Sequence, residues 1–310
     1  MAELIPDDID FAAYLRETEV KIKVRRASLY AEQLRGHFTP PAGAHEYPAM
    51  FSTKLRGLIE FRPGEVTVWS GYNGHRKSMF TGQVALDLCV QRERTLLASF
   101  EMAPARSLAR MARQCFAVAK PAAASLDAFS RWTDGRLWLF DHIGRITPAT
   151  CLAVCRYFAD ELKGQHVFID SMMMVCASEE SLDEQKQFMT DLVRLAQETG
   201  LHLHLVAHCR KPVDETKPPT KYDLRGSAAI SDQAHNVVMV WANKAKKAKL
   251  EANPQDVDAG AAPDALVCVE KQRNGSWEGR IKLWFDDASF RFADDRVSAI
   301  EPYALQQETL

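Results

Sequence analysis

The sequence predicts an α/β fold in which a mostly parallel sheet is covered by helices on both faces. From about residue 50 onward, short apolar runs alternate with longer amphipathic segments, the order expected when each strand is followed by a crossover helix. Short apolar strands of this kind are typical of parallel sheets that are buried on both faces. At 310 residues the chain exceeds the usual size of one domain, but α/β domains often reach this length.

The strands and helices of the parallel part can be placed from the hydrophobic pattern. Strands are expected at 66–69, 95–100, 137–140, 166–170 and 203–208. Helices are expected at 77–90, 104–117, 148–163 and 180–199. Ligands of such sheets bind where the strands end, so the residues that follow each strand are the first candidates for a functional site.

The C-terminal part of the core indicates antiparallel β-hairpins. Strands are expected at 266–270, 281–285 and 289–292, with the turn between the first two formed by KQRNG. The stretch 244–264, KAKKAKLEANPQDVDAGAAPD, is expected to be a flexible insertion in this region.

A helical arm is predicted before the core. Residues 7–36 carry apolar side chains at helical spacing, and the proline-rich stretch FTPPAGAHEYP that follows is typical of a linker. We therefore divide the chain into an N-terminal helical arm and linker at 1–45, a core at 46–296 and a tail at 297–310. Because such an arm has little core of its own, we expect it to dock elsewhere, on a neighbouring subunit.

Composition and charge exclude several classes of protein. A hydrophobic fraction of 46% and a charged fraction of 26% indicate a soluble globular chain, and no apolar run approaches the ~20 residues that span a membrane. The N-terminus lacks the apolar core of a signal peptide, so we expect a cytoplasmic protein with no membrane partner. The net charge of −2 means that any nucleic acid must be bound by a local basic patch. The seven cysteines form no CxxC pair, which favours reduced, buried thiols over a zinc site.

The stretch EVTVWSGYNGHRKSM, residues 65–79, has the strand–loop–helix pattern of a phosphate-binding loop. Its glycines would let backbone N–H groups close around phosphate oxygens, and the following helix would point its positive end at them. Lys77 would reach the β- and γ-phosphates of ATP, and Ser78 would be a ligand of Mg²⁺. The predicted nucleotide-binding residues are Gly71, Asn73, Gly74, His75, Arg76, Lys77 and Ser78.

One residue departs from the pattern G-x-x-x-x-G-K-[ST]. Arg76 occupies the position of the last glycine, which normally allows the backbone to approach the phosphates closely. We expect Gly74 to take over part of that task. The alternative interpretation is a glycine-rich turn before a helix that binds no nucleotide.

Three polar residues stand at the ends of predicted strands. Asp170 ends the apolar run HVFID, as does the acid that holds Mg²⁺ behind a phosphate loop. Glu101 follows the strand at 95–100, where a carboxylate can activate water. His208 ends the strand after Asp170 and can sense the γ-phosphate there, although a lone histidine at such a place is more often structural.

Two basic segments are candidates for further contacts. Residues 211–227, KPVDETKPPTKYDLRGS, form a polar, proline-rich loop that includes Lys221, and they either contact nucleic acid or only face solvent. Lys271 and Arg273 stand at the predicted hairpin tip, where a cation has no obvious partner within its own sheet.

Taken together, these blocks resemble the hexameric replicative helicases of the DnaB and Twinkle type, and the chain looks like a phage member of that family. The blocks are SGYNGHRKS, LLASFEMAPARSLARM, HVFID, HLVAHCRKP, DLRGSAAISDQAHNVVMV and VEKQRNGSWEGRIKL, in this order over roughly residues 50–292. The histidine of HLVAHCRKP is more similar to the Twinkle branch than to the branch with glutamine there. The resemblance implies a RecA-like core that assembles as a hexameric ring around single-stranded DNA.

The resemblance also implies a role for each candidate residue. Glu101 is the general base and His208 the phosphate sensor, while Lys271 and Arg273 act on the γ-phosphate of a neighbouring subunit. ATP and Mg²⁺ are held by Lys77, Ser78 and Asp170. The DNA backbone is contacted by Lys221, Arg225, Gly226, Ser227 and Ala228.

The expected activity is that of an ATP-dependent replicative DNA helicase motor. Its expected partners are single-stranded DNA, further copies of the chain, and a separate primase or loader, because the chain shows no primase domain. Three alternatives remain: a RecA-like recombination or repair ATPase that forms filaments, a degenerate ring that binds nucleotide without hydrolysing it, and a RecA-like ATPase with an unrelated substrate.

Overall fold

A computed structural model of the chain describes residues 27–38, 47–176, 181–296 and 300–305. The strands are β1 Val66–Ser70, β2 Thr95–Ser99, β3 Leu137–Leu139, β4 His166–Asp170, β5 His202–Val206, β6 Asn236–Ala242, β7 Ala265–Gln272, β8 Gly279–Asp286 and β9 Arg291–Ala293. The α-helices are α1 Ala31–Phe38, α2 Lys77–Val90, α3 Pro104–Phe116, α4 Ala123–Thr133, α5 Pro148–Asp160, α6 Leu182–Thr199, α7 Ala229–Gln233, α8 Lys244–Ala252 and α9 Val257–Ala261.

The strands of the described segments form one sheet in the order β3-β2-β4-β5-β1-β6-β7-β8-β9. Strands β1 to β6 run parallel to one another, whereas β7, β8 and β9 are added as antiparallel neighbours. The prediction of a mostly parallel sheet with C-terminal β-hairpins is therefore confirmed. The parallel arrangement brings the carboxyl ends of β2, β4, β5 and β1 side by side, and this edge holds most of the candidate residues.

The sheet is buried on both faces, as the apolar strands predict. In β1, Val66 and Val68 face a core that includes Phe158 of α5 and Phe188 of α6. Trp69, which points to the opposite face, belongs to a second core. Helices α2, α3 and α4 supply the other side of that second core, with Phe80, Met111 and Phe129. Successive strand residues point to opposite faces of a sheet, so a single strand can contribute to both cores.

Three features of the fold differ from the sequence-based expectations. Strand β6 was not anticipated, although all of its residues are buried beside β1. Helix α4 was also missed. The stretch 244–264 is not a flexible insertion, because it forms α8 and α9. Each of these two helices has a side-chain cap: Asn243 accepts from the backbone N–H of Lys246, and Asp256 accepts from that of Ala259.

Most of the predicted N-terminal arm lies outside the described residues. Within 27–38 the chain forms a 3₁₀ turn, Ala27–Tyr30, that leads into α1. The division into arm, core and tail thus stays a prediction. All seven cysteines are buried and none is in a disulfide. Across the described segments, no helix combines the length and apolar character that membrane crossing requires.

Candidate functional site

The phosphate loop connects β1 to α2 and depends on two glycines. A Cβ atom on Gly71 would lie 2.1 Å from the carbonyl oxygen of Val240 in β6, so a larger residue cannot fit. Gly74 has a φ of 75°, in the left-handed region that suits glycine. The loop can therefore turn tightly against β6 and present its backbone N–H groups at the start of α2.

Lys77, the first residue of α2, directs its amine into the loop. Its Nζ donates to the carbonyl oxygens of Gly71 at 2.8 Å and of Tyr72 at 3.0 Å. Burial lowers the pKa of Lys77, and the carboxylates of Asp170 and Glu101 oppose that effect. The amine is thus held inside the loop, where it can exchange carbonyl oxygens for phosphate oxygens.

His75 is fully buried and ties the loop to β6. Its Nδ1 accepts from the backbone N–H of Ala242 at 3.0 Å, and its Nε2 lies 3.3 Å from Oε1 of Glu215. Burial lowers the pKa of His75, which favours the neutral ring. The side chain therefore holds the loop in place, and only the backbone of this residue is available for phosphate.

Arg76 has a φ of 64° and a ψ of 23°, the left-handed conformation that a glycine would adopt at this position. For a residue with a Cβ this conformation costs about 1–2 kcal/mol. The guanidinium lies 3.8 Å from the ring centroid of Phe285, and one of its nitrogens is 3.5 Å from Oδ1 of Asp287. The loop thus keeps the backbone shape of the glycine pattern, while the side chain turns to the hairpin that joins β8 and β9.

Ser78 and Asp170 form the candidate Mg²⁺ site. Burial raises the pKa of Asp170, and a hydrogen bond from Ser78 together with the charge of Lys77 opposes this. A hydroxyl and a carboxylate that line the same pocket beside the first turn of α2 fit an ion that prefers oxygen ligands and shares them with phosphates. In the described segments, no cluster of three or more His, Cys, Asp or Glu residues could hold a metal by itself.

Glu101 and His208 are linked through a residue that the sequence did not single out, Ser171. The Ser171 hydroxyl is fully buried and donates to Oε1 of Glu101 at 2.7 Å. His208 Nε2 lies 3.3 Å from the same hydroxyl oxygen, and its Nδ1 lies 3.3 Å from Oδ1 of Asn73. Burial and the nearby Lys77 lower the pKa of His208. The predicted base, the predicted sensor and the phosphate loop therefore share one chain of polar contacts.

The predicted DNA-contacting segment lies next to this series of polar contacts, because the backbone N–H of Arg225 donates to the carbonyl oxygen of His208. Arg225 is exposed, and Gly226 has a φ of 103°. A Cβ on Gly226 would lie 2.2 Å from Oε1 of Gln185 in α6. The same Gln185 oxygen accepts from the backbone N–H of Ser227 at 2.9 Å. Gln185 therefore fixes the turn that presents Arg225, a role that no sequence motif indicated. Ala228 precedes α7 directly and is exposed.

Lys221 is only partly available for DNA in this conformation. It lies in a 3₁₀ turn, Lys221–Asp223, and its Nζ is 3.3 Å from the carbonyl oxygen of Glu270 in β7. The neighbouring Tyr222 is 80% exposed. The flexible amine can still turn outward, because it is held only by this long hydrogen bond and by a contact with the ring of Tyr222, whose centroid is 5.7 Å away.

Lys271 and Arg273 lie at the edge of the sheet opposite to the phosphate loop. Gln272, between them, pairs with Asn236 at the start of β6, and Asn236 pairs with Thr67 near the start of β1. The two cations therefore cannot reach the nucleotide site of their own chain. The partners of the two side chains lie outside the sheet and are carbonyl oxygens at the end of α7. Lys271 Nζ is 2.8 Å from those of Ser231 and Asp232, and an Arg273 nitrogen is 3.1 Å from that of Asp232.

Known proteins that are similar to this chain support the fold described above. The chain matches the family described as DnaB-like helicase C terminal domain over residues 51–294. The ATPase domain of G40P is similar with a TM-score of 0.69 and 15% sequence identity, over 86% of this chain and 99% of that chain. The structure of a DnaB-like replicative helicase and its interactions with primase is similar with a TM-score of 0.70 and 14% identity, over 87% of this chain and 67% of that chain. The structural likeness confirms the predicted RecA-like fold.

Proposed function

Because the chain belongs to the DnaB-like helicase C terminal domain family, it is a helicase ATPase of the DnaB type, and we propose that it translocates on single-stranded DNA as a ring whose subunit interfaces hydrolyse ATP. The observation that carries the proposal is the opposite placement of two sets of residues. The phosphate loop, Glu101 and His208 share one edge of the sheet, and Lys271 and Arg273 lie at the other edge. Identical subunits arranged head to tail bring one set against the other.

In the proposed reaction, a water oxygen attacks the γ-phosphorus of ATP, the bond to ADP breaks, and Glu101 takes the proton of the water. The hydroxyl of Ser171 holds the Glu101 carboxylate in one orientation, since it donates to Oε1. Lys77 contacts the β- and γ-phosphates and His208 contacts the γ-phosphate. Ser78 and Asp170 would hold Mg²⁺, which when bound neutralises negative charge on the phosphates.

The trans contribution comes from the neighbouring subunit. We propose that Arg273, with Lys271 beside it, stabilises the charge that develops on the γ-phosphoryl group in the adjacent site. Hydrolysis would then require an assembled interface. Arg225 to Ala228 of the same subunit would follow the DNA backbone.

Two alternatives are less well supported by the geometry. A ring that cannot hydrolyse was suggested only by Arg76, yet Arg76 keeps the left-handed backbone conformation of the glycine pattern. A filament-forming recombination ATPase would use the same kind of head-to-tail interface. Electron microscopy with ATP and DNA distinguishes the two assemblies, since the proposed function requires closed rings and filaments would refute it.

The direct test is ATPase activity measured with and without single-stranded DNA, for the wild-type protein and for Lys77→Ala. We expect hydrolysis that increases with DNA and is lost in the variant. Wild-type protein that binds DNA but hydrolyses no ATP under either condition would contradict the proposal. A primase or loader is proposed as a further partner, and co-purification with the replication proteins of the same source would identify it.

A further inference from the structure

Arg76 joins two parts of the molecule that are distant in sequence, the phosphate loop and the β8–β9 hairpin. Its guanidinium stacks on Phe285 at 3.8 Å and approaches Asp287 at 3.5 Å, and only 21% of the side chain is exposed. Because the side chain extends toward the hairpin, the residue that replaces the last glycine of the loop is not placed as a phosphate ligand. We therefore expect its side chain to act on the side of the β8–β9 hairpin.

A cleft of about 460 Å³ opens beside this contact. Phe285 lines it together with Trp284, Asp264 and Arg296, so the walls combine aromatic faces with groups that can form hydrogen bonds. The volume lies in the range of pockets that hold small-molecule ligands, roughly 300–1,000 Å³. Phe285 is therefore shared between Arg76 on the loop and the cleft.

The order of the strands determines which end of a nucleotide would face the cleft. Glu101, Asp170 and His208 follow β2, β4 and β5, and all three strands lie on one side of β1. They mark the γ-phosphate end of the site. Strands β8 and β9 lie on the other side of β1. A triphosphate whose γ end is at Glu101 consequently directs its nucleoside toward the hairpin.

We propose that Arg76 acts on the nucleoside of the bound nucleotide and not on its phosphates. In this arrangement the stacked pair of Arg76 and Phe285 forms the wall against which base and ribose pack. A guanidinium held over an aromatic ring, here with 3.8 Å between Cζ and the ring centroid, is preorganised to contact another planar group. The inference rests on the proposed function, because it assumes that ATP occupies the phosphate loop.

Two ligands separate the possible roles of Arg76. Mg²⁺–ATP contains the nucleoside, whereas Mg²⁺–tripolyphosphate offers the phosphates alone. Arg76→Ala removes the guanidinium but retains the Cβ, so the backbone restriction at this position stays the same. By calorimetry, we expect ATP binding to weaken roughly tenfold and tripolyphosphate binding to change by less than about twofold.

Two further variants test the contribution of Phe285 and the contribution of the backbone conformation at residue 76. Phe285→Leu should produce the same difference between the ligands, and combining it with Arg76→Ala should add little, because both changes disrupt one stacked pair. Arg76→Gly relaxes the backbone, so tripolyphosphate should bind at least as well as to wild type while ATP still binds more weakly. Thermal unfolding of each variant verifies that it is folded.

Three results would overturn the inference, and each has a different meaning. Equal weakening of both ligands by Arg76→Ala would make Arg76 a phosphate ligand. Unchanged ATP binding would show that the stacked pair does not contact the nucleoside. If the wild-type protein binds neither ligand, the proposed function itself is wrong, and the inference falls with it.

Discussion

The backbone N–H of Arg225 donates a hydrogen bond to the carbonyl oxygen of His208, with the nitrogen and oxygen 2.9 Å apart. Between these residues the chain forms a loop that is closed at its base by a bridge between Cys209 and Leu224. The residue predicted to sense the γ-phosphate and the residue predicted to contact DNA are therefore adjacent in space. A change in the position of His208 on hydrolysis would be transmitted to Arg225 through one backbone contact.

The first prediction concerns Arg225. Arg225→Ala should weaken binding to single-stranded DNA and reduce the salt dependence of binding, with a slope smaller by roughly 0.7, because one phosphate contact is lost. ATPase activity without DNA should stay close to wild type, since the backbone bond to His208 does not depend on the side chain. Fluorescence titration of a labelled oligonucleotide at several salt concentrations measures both quantities.

Arg194→Ala provides the matched control for Arg225. Arg194 is an exposed arginine on α6 that bonds to Asp191 of the same helix at 2.9 Å. Its removal changes the net charge by the same amount, and Arg194 is not part of the 225–228 segment. If both variants lose DNA affinity equally, the effect reflects overall charge, and the 225–228 segment is not the contact.

The second prediction concerns Ser171. Ser171→Ala should lower kcat by roughly tenfold or more with little change in KM, because a hydrogen bond to a charged carboxylate is worth about 1.5–3 kcal/mol and here it orients the base. Glu101→Gln should lower kcat further, by ~10²–10⁴-fold. Steady-state ATPase kinetics in the presence of DNA give both values.

A double variant shows whether Ser171 acts through Glu101. When Glu101 is already glutamine, removal of the Ser171 hydroxyl should have little additional effect, since the orientation of a base no longer matters. Fully multiplicative losses in the double variant would mean that Ser171 acts independently, for example only through folding or through His208.

The sequence predicted the core of this site because its residues follow recognisable strands. Glu101 and Asp170 could be placed at one edge of the sheet from the apolar runs before them and from the parallel arrangement alone. Strand β6 was not among the predicted strands, although NVVMVWA is a buried apolar run. The errors therefore concern elements that were omitted, namely β6, α4, α8 and α9.

The parts of the site that could not be predicted depend on contacts between distant residues. Ser171 is one residue after a recognised acid, but nothing in the sequence shows that its hydroxyl meets Glu101. The directions of the His75 and Arg76 side chains are set by β6 and by the β8–β9 hairpin, which are far away along the chain. Gln185 supports the proposed DNA-contacting turn from α6, and only the folded structure brings it there.

Buried histidines make the stability of the protein depend on pH. His204 accepts a hydrogen bond from Nε1 of Trp69 at 3.2 Å, and its Nε2 lies 3.2 Å from Nδ1 of His166. Burial lowers the pKa of His166 and brings those of His202 and His204 well below the ordinary value. The unfolded chain protonates these rings near pH ~6.5, whereas the folded chain keeps them neutral. The unfolded state therefore binds more protons as pH falls, and the free energy of unfolding decreases below about pH 6.5.

The third prediction follows: urea unfolding should show a loss of stability between about pH 8 and about pH 5.5, of up to roughly 1.4 kcal/mol per pH unit for each ring. His204→Gln retains an acceptor for Trp69 and cannot titrate, so its stability should fall less steeply. Asp87, whose pKa burial raises to about 6, and Asp170, whose pKa burial also raises, act in the opposite direction, but the three histidines outnumber them. Parallel curves for wild type and His204→Gln would exclude His204 as a source.

The last prediction concerns Arg273 and begins from its position. Together with Lys271 it binds carbonyl oxygens at the end of α7, the helix that directly follows the proposed DNA-contacting segment, residues 225–228. Such oxygens have no partners within the helix and attract cations. Arg273 could therefore serve only to hold α7, or it could also reach the γ-phosphate of the next subunit. If Arg273 reaches the γ-phosphate of the next subunit, the Arg273→Ala protein should bind ATP normally, and its hydrolysis rate should fall by ~10³–10⁵-fold, as expected for an arginine finger.

Mixing two inactive proteins separates these roles. A Lys77→Ala subunit binds ATP poorly but still offers Arg273 to its neighbour, and an Arg273→Ala subunit has an intact pocket. In mixed rings, some intact pockets meet an intact Arg273, so part of the ATPase activity should return. A mixture of Arg273→Ala with the Arg273→Ala/Lys77→Ala double variant contains no intact Arg273, and it should stay inactive at every ratio.

A role of Arg273 that is confined to holding α7 predicts a different result. If Arg273 only holds α7, the defect lies within each Arg273→Ala subunit, and a neighbour cannot repair it. Mixtures would then remain inactive although labelled subunits exchange between rings, and Arg273→Ala should also bind DNA more weakly, because α7 anchors the 225–228 segment. Recovered activity with unchanged DNA affinity therefore supports action on the neighbouring site, while no recovery with reduced DNA affinity would confine Arg273 to its own chain.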